Sequence, residues 1–97
     1  MITDEEKPGA WFVDAVKVWA TSPDDDPNMI EWLRLRGDSP LHDTPVAKMP
    51  HTCWSVDDLD RELEGKQPFF GPLTVADGVR VAYFMLDGAV VEYFEAK

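Results

Sequence analysis

At 97 residues, 44% hydrophobic content and a net charge of −10, the chain has material for one domain with a modest core. Nine cations against nineteen anions, spread over both halves with no basic patch, would repel a phosphate backbone, so nucleic acid is excluded as a partner. No apolar run approaches the roughly 18 residues that span a bilayer and no basic-then-apolar leader opens the sequence, so a cytoplasmic protein without membrane attachment is expected.

The single cysteine, Cys53, leaves no internal disulfide and no thiolate zinc set. Residues 1–10 are polar and carry Pro8-Gly9, which predicts a frayed or irregular start. Residues 11–20, rich in Val, Trp and Phe, predict a strand. Turn formers crowd residues 21–28, where Asp24-Asp25-Asp26 lies between two prolines. That predicts a solvated turn between antiparallel strands; no spaced ligand ladder follows to make a calcium loop.

Residues 29–36 predict the next strand, and residues 37–49, with Gly, Ser and two prolines, a linker over the surface. A strand is expected over 50–56, then a short helix capped by Ser55 or Asp57, with Leu59 and Leu63 facing inward and Gly65 at its end. Residues 67–76, interrupted by Pro68, Gly71 and Pro72, predict an edge strand with a bulge. Asp77-Gly78 and Asp87-Gly88 bracket residues 79–86 as hairpin turns, and residues 89–95 form the final strand. The fold class is α+β, mostly strand.

Strand alternation sends residues i and i+2 to one face. If 29–36 is a strand, Glu31 shares its face with Met29, Leu33 and Leu35; Glu92 shares its face with Val90 and Phe94. A lone carboxylate in an apolar row needs a cation, a donor or water. His51, which opens its strand, supplies a neutral imidazole. Two carboxylates and an imidazole suit one divalent cation of Fe, Mn, Ni, Zn or Mg; a wet sheet face would serve the same residues without one. His42, in the linker, is expected to face solvent. Cys53 is expected to be structural and slow to label, having no cationic neighbour in sequence to lower its pKa.

The stretch from His51-Thr52-Cys53-Trp54-Ser55 through Val90-Val91-Glu92-Tyr93-Phe94 resembles the second βαβββ module of the vicinal oxygen chelate superfamily, which includes glyoxalases, extradiol dioxygenases and bleomycin-resistance proteins. The resemblance covers residues 11–97 and is closest from His51 onward. It implies a single glyoxalase-like domain with a curved mixed sheet: residues 1–49 hold a first module shortened at its N-terminus plus a linker, and residues 50–97 the second module. In the superfamily the metal ligands sit on the first and last strands of each module. Glu31, in Met29-Ile30-Glu31-Trp32-Leu33, matches the closing strand of the first; His51 and Glu92 match the opening and closing strands of the second. The fourth ligand position has no counterpart.

Three functions follow from the resemblance. One is a divalent-metal-dependent lyase, isomerase or dioxygenase acting on an oxygen-chelating small molecule, with Glu31 or Glu92 doubling as ligand and catalytic base. A second is a metal-free protein that binds an antibiotic-like molecule between aromatic side chains such as Trp32, Trp54, Phe69 and Phe70, acidity favouring a cationic ligand. The third is a catalytically silent shortened member. A shortened first module also implies a two-fold homodimer, in which residues 11–36 can exchange between partners through the 37–49 linker.

Overall fold

The computed structural model describes residues 1–97, and the chain folds as two compact units, Met1–Pro50 and His51–Lys97. The class is α+β: a three-stranded sheet in the first unit, a four-stranded sheet in the second, and little helix. No helix is long and apolar enough to cross a membrane.

In the first unit β1 (Trp11–Val13), β2 (Val18–Ala20) and β3 (Leu33–Leu35) form an antiparallel meander. The single strand expected over 11–20 is a hairpin. Its turn is held by the Lys17 ammonium on the Asp14 carboxylate at 2.7 Å, with Lys17 in the left-handed region at φ 56°. The apolar residues on either side hid a turn that uses neither Gly nor Pro. Register places Phe12, Trp19 and Arg34 in one row. The Phe12 and Trp19 rings lie 5.0 Å apart, and the Arg34 guanidinium sits 3.9 Å from the Trp19 centroid. The other face carries buried Val18, Ala20 and Leu33.

The strand expected over 29–36 is confined to Leu33–Leu35. Met29 has φ 57°, and the Trp32 backbone N–H donates to the Thr21 hydroxyl at 2.9 Å rather than to a ladder partner. Glu31 therefore stands outside any strand, and the alternation argument that gave it an apolar row does not apply. In the acidic turn, the Asp26 carboxylate accepts from the Asn28 backbone N–H at 2.7 Å and the Trp32 indole N–H at 3.0 Å. These donors hold its pKa below the usual carboxylate range. Nor is the N-terminus frayed: Ile2 bridges Leu33 in parallel, with Thr3 N–H donating to the Leu33 carbonyl at 2.9 Å. The 37–49 stretch is more than a surface linker. It forms two 3-10 turns, Pro40–Asp43 and Pro45–Ala47, that bury Leu41 and Val46 almost completely.

The second unit runs β4 (His51–Ser55), α1 (Leu59–Glu62), β5 (Phe70–Ala76), β6 (Val79–Leu86) and β7 (Ala89–Ala96). Sheet order is β4-β7-β6-β5, with β4 parallel to β7 and the other pairs antiparallel. The Asp-Gly turns set the register: Ala76 pairs Val79 and Leu86 pairs Ala89 across two-residue loops. Asp87 and Gly88 both have positive φ, at 51° and 84°, as a type I′ hairpin requires. β5 is an edge strand with two register irregularities, as expected.

Leu59 and Leu63 face inward and pack with Ala82, Phe84 and Val91, while Val56 and Tyr93 flank this core. The helix cap is neither Ser55 nor Asp57: the Asp58 carboxylate accepts from the Arg61 N–H at 3.2 Å. A second carboxylate ties the helix to the sheet. Buried Glu95 accepts from the Leu59 N–H at 2.7 Å and from Arg80 Nε at 3.2 Å, and Arg80 reaches on to Asp60 of α1 at 3.0 Å. The Leu59 N–H first, then Arg80, hold the Glu95 pKa below its ordinary value of 4.5.

A carboxylate depressed on folding stabilises the native state above its unfolded pKa, and that stability is lost as pH falls through the lowered native value. Glu95→Gln is accordingly expected to unfold at lower urea than wild type at pH 7, with the difference shrinking below pH about 4.5. Urea midpoints from pH 7 to pH 3 measure this; a difference that stays constant with pH would contradict it.

Candidate functional site

Two expected site residues meet within the second unit. His51 opens β4 and Glu92 lies in the middle of β7; parallel register pairs His51 with Val90 and Cys53 with Glu92, so both side chains stand on the same sheet face. His51 Nε2 and Glu92 Oε1 are 3.0 Å apart, and the two side chains are only 5% and 9% exposed. α1 and its leucines cover the opposite face, which carries Val91.

Glu92 keeps the apolar row read from sequence, between Val90 and Phe94. A buried carboxylate in such a row is costly without a donor, and His51 is that donor. An ionised carboxylate only accepts, so the contact places the imidazole proton on Nε2. In the other neutral tautomer the proton moves to Nδ1, and an Nε2 lone pair and a carboxylate oxygen then face one cation together.

Aromatic rings surround the pair on one side. Tyr83 is the β6 residue opposite Glu92, it is buried, and it meets the His51 ring edge-on at 5.5 Å and 75°. The Phe69 and Phe70 rings lie 6.2 and 6.1 Å from the Tyr83 ring. Phe69 and Phe70 thus pack against the ring that meets His51.

Glu31 is half-buried in the first unit, where its backbone carbonyl accepts from the N-terminal amine at 2.6 Å. Trp32, in the same unit, has its indole N–H on Asp26 and the Lys7 ammonium 4.6 Å from its centroid. Trp54 projects from the face of β4 opposite His51 and is 60% exposed. His42 is exposed, as expected, with Nε2 2.8 Å from the Arg36 carbonyl. Cys53 lies within β4 and is exposed, so burial does not shield the thiol.

Sequence reading missed Tyr83 and Glu95. Tyr83 was within reach, because the two-residue Asp87-Gly88 loop fixes it opposite Glu92 by counting back along the hairpin. Glu95 shares the alternate row with Val91 and Tyr93, so the face argument that selected Glu92 applies to it equally. Its backbone partner on α1 left no sequence signal.

Compared with protein-family models, with characterised proteins and with solved structures, the chain matches none.

Proposed function

We propose that the second unit binds one divalent cation through His51 Nε2 and a Glu92 oxygen, and that the protein is a metal-dependent member of the vicinal oxygen chelate type. The buried His51–Glu92 pair carries this reading. The order β-α-β-β-β, with the first strand parallel to the last, supports it, being the arrangement that the resemblance implies.

The donor chemistry fits. An imidazole and a carboxylate together suit Fe, Mn, Ni or Zn. Two neighbouring ligands at about 2.1 Å from an ion are about 3.0 Å apart in octahedral geometry and about 3.4 Å in tetrahedral geometry. The observed 3.0 Å is a hydrogen-bond length, so both atoms can reach one ion with little movement. Glu31 is the third ligand this reading assigns, on the sequence match of residues 29–33 alone, and Glu31→Gln tests it.

When bound, such a cation acts as a Lewis acid toward two adjacent oxygens of a small molecule. Around it, the chain's own groups have defined tasks. Glu92 carries the charge that offsets the ion and is a base within reach of it. Half-buried Phe69 and Phe70, tilted against the buried Tyr83 ring, offer apolar ring faces against which a substrate can be oriented.

Protein prepared without a polyhistidine tag or chelator is expected to hold close to one equivalent of metal by elemental analysis, or to take it up on reconstitution with Fe, Mn, Ni or Zn in turn. Substoichiometric uptake of every one of these ions would overturn the reading.

A further inference from the structure

The helix-bearing face of the second unit holds a cleft that the His51–Glu92 pair does not use. α1 is only four residues long, so it covers Ala82, Phe84 and Val91 at the centre and leaves the sheet beyond it bare. There a cleft of about 500 Å³ opens, within the size range of small-molecule sites. Aromatic Trp54 and Tyr93 and aliphatic Leu86 and Val91 line it, and its charged lining residues, Asp57 and Glu62, are both carboxylates.

Three observations point to one kind of occupant. First, Trp54 and Leu86 are 60% and 53% exposed, and the Trp54 indole is held by its N–H on the Thr52 hydroxyl at 3.1 Å. An anchored, exposed ring offers its face at little entropic cost. Second, neither Asp57 nor Glu62 is engaged in an ion pair, so both carboxylates remain available to a guest. Third, one ring of the cleft already attracts a cation: the Lys66 ammonium lies 5.8 Å from the Tyr93 centroid, tethered to the Glu62 carbonyl at 2.9 Å. Aromatic faces flanked by carboxylates are the recognition pattern for ammonium groups.

We infer that this cleft binds a small organic cation, an aryl or quaternary ammonium compound. Its charge lies among Trp54, Tyr93, Asp57 and Glu62, and its apolar part covers Leu86 and Val91. A second copy of the chain is a poorer occupant. Two-fold pairing of this face would bring Asp57 and Glu62 against their own counterparts in a molecule already at −10.

Benzyltrimethylammonium and its neutral carbon isostere, neopentylbenzene, are the probes. Titration of ¹⁵N-labelled protein with the cation is expected to shift the Trp54 indole resonance saturably. The isostere should bind at least about tenfold more weakly. Trp54→Ala, at an exposed position, and the paired Asp57→Asn and Glu62→Gln substitutions should each reduce affinity for the cation by a similar factor. Chelator treatment should leave it unchanged, which separates this cleft from the metal proposal. Equal affinity for the neutral isostere, absence of a saturable Trp54 shift, or a Trp54 resonance that moves with protein concentration alone would each overturn the assignment, the last by showing that a second copy covers the face.

Discussion

Leu59→Ala is expected to destabilise the second unit by about 2–5 kcal/mol, the range for large-to-small changes at fully buried leucines. Leu59 is 0% exposed and touches the centre of the only helix-covered core, formed with Leu63, Ala82, Phe84 and Val91. A one-turn helix gains almost nothing from its own hydrogen bonds, because nucleation costs more than one turn returns. Its place depends on the leucine contacts and on the carboxylates of Asp58 and Glu95 at its N-terminus. A domain of this size has about 5–15 kcal/mol in total, so the loss is a large fraction of what is there. Chemical denaturation followed by near-ultraviolet circular dichroism measures it. A change under about 1 kcal/mol would mean that the core collapses around the shortened side chain.

His51→Ala and Glu92→Gln are expected to weaken cation binding by at least about a hundredfold each, the upper range already seen when only the partner of a metal ligand is removed. The two substitutions act differently on the protein itself. His51→Ala removes the imidazole partner of a buried carboxylate, and a buried polar group left without its partner costs stability. Glu92→Gln keeps the shape and a hydrogen bond to the imidazole while removing the charge. Both variants should therefore lose metal, with the glutamine variant retaining wild-type thermal stability more closely. Isothermal titration with Mn(II) and Ni(II), alongside thermal melts, measures both effects; wild-type affinity in either variant would remove that residue from the ligand set.

The second unit was legible because its turns are written in Asp-Gly pairs. Those pairs fix the hairpin register, and register carries Tyr83 to Glu92 and sets the rows of β6 and β7. The inward leucines of α1 were legible for a similar reason, standing one turn apart before Gly65. The first unit was harder. Its hairpin turns at Asp14–Lys17 without the residues that usually announce a turn, and 3-10 turns over 40–47 impose no apolar period that could reveal buried Leu41 and Val46. Strand length was overread at Glu31, where left-handed Met29 halts the extended chain and nothing in the residue type forecasts it.

Site residues followed the same division. Glu92 was singled out because a carboxylate in an apolar row is a physical anomaly that demands a partner, and His51, 3.0 Å away, is a partner it has. The cleft beside Trp54 could not be read from sequence at all, because it exists only where a helix is too short to cover its sheet.

Pulsed electron paramagnetic resonance of the protein loaded with one equivalent of Mn(II) tests the metal reading most directly. The account predicts modulation from one imidazole nitrogen bound to the ion, present in wild type and abolished in His51→Ala. A spectrum identical to that of aqueous Mn(II), or a nitrogen signal that persists in His51→Ala, would contradict it.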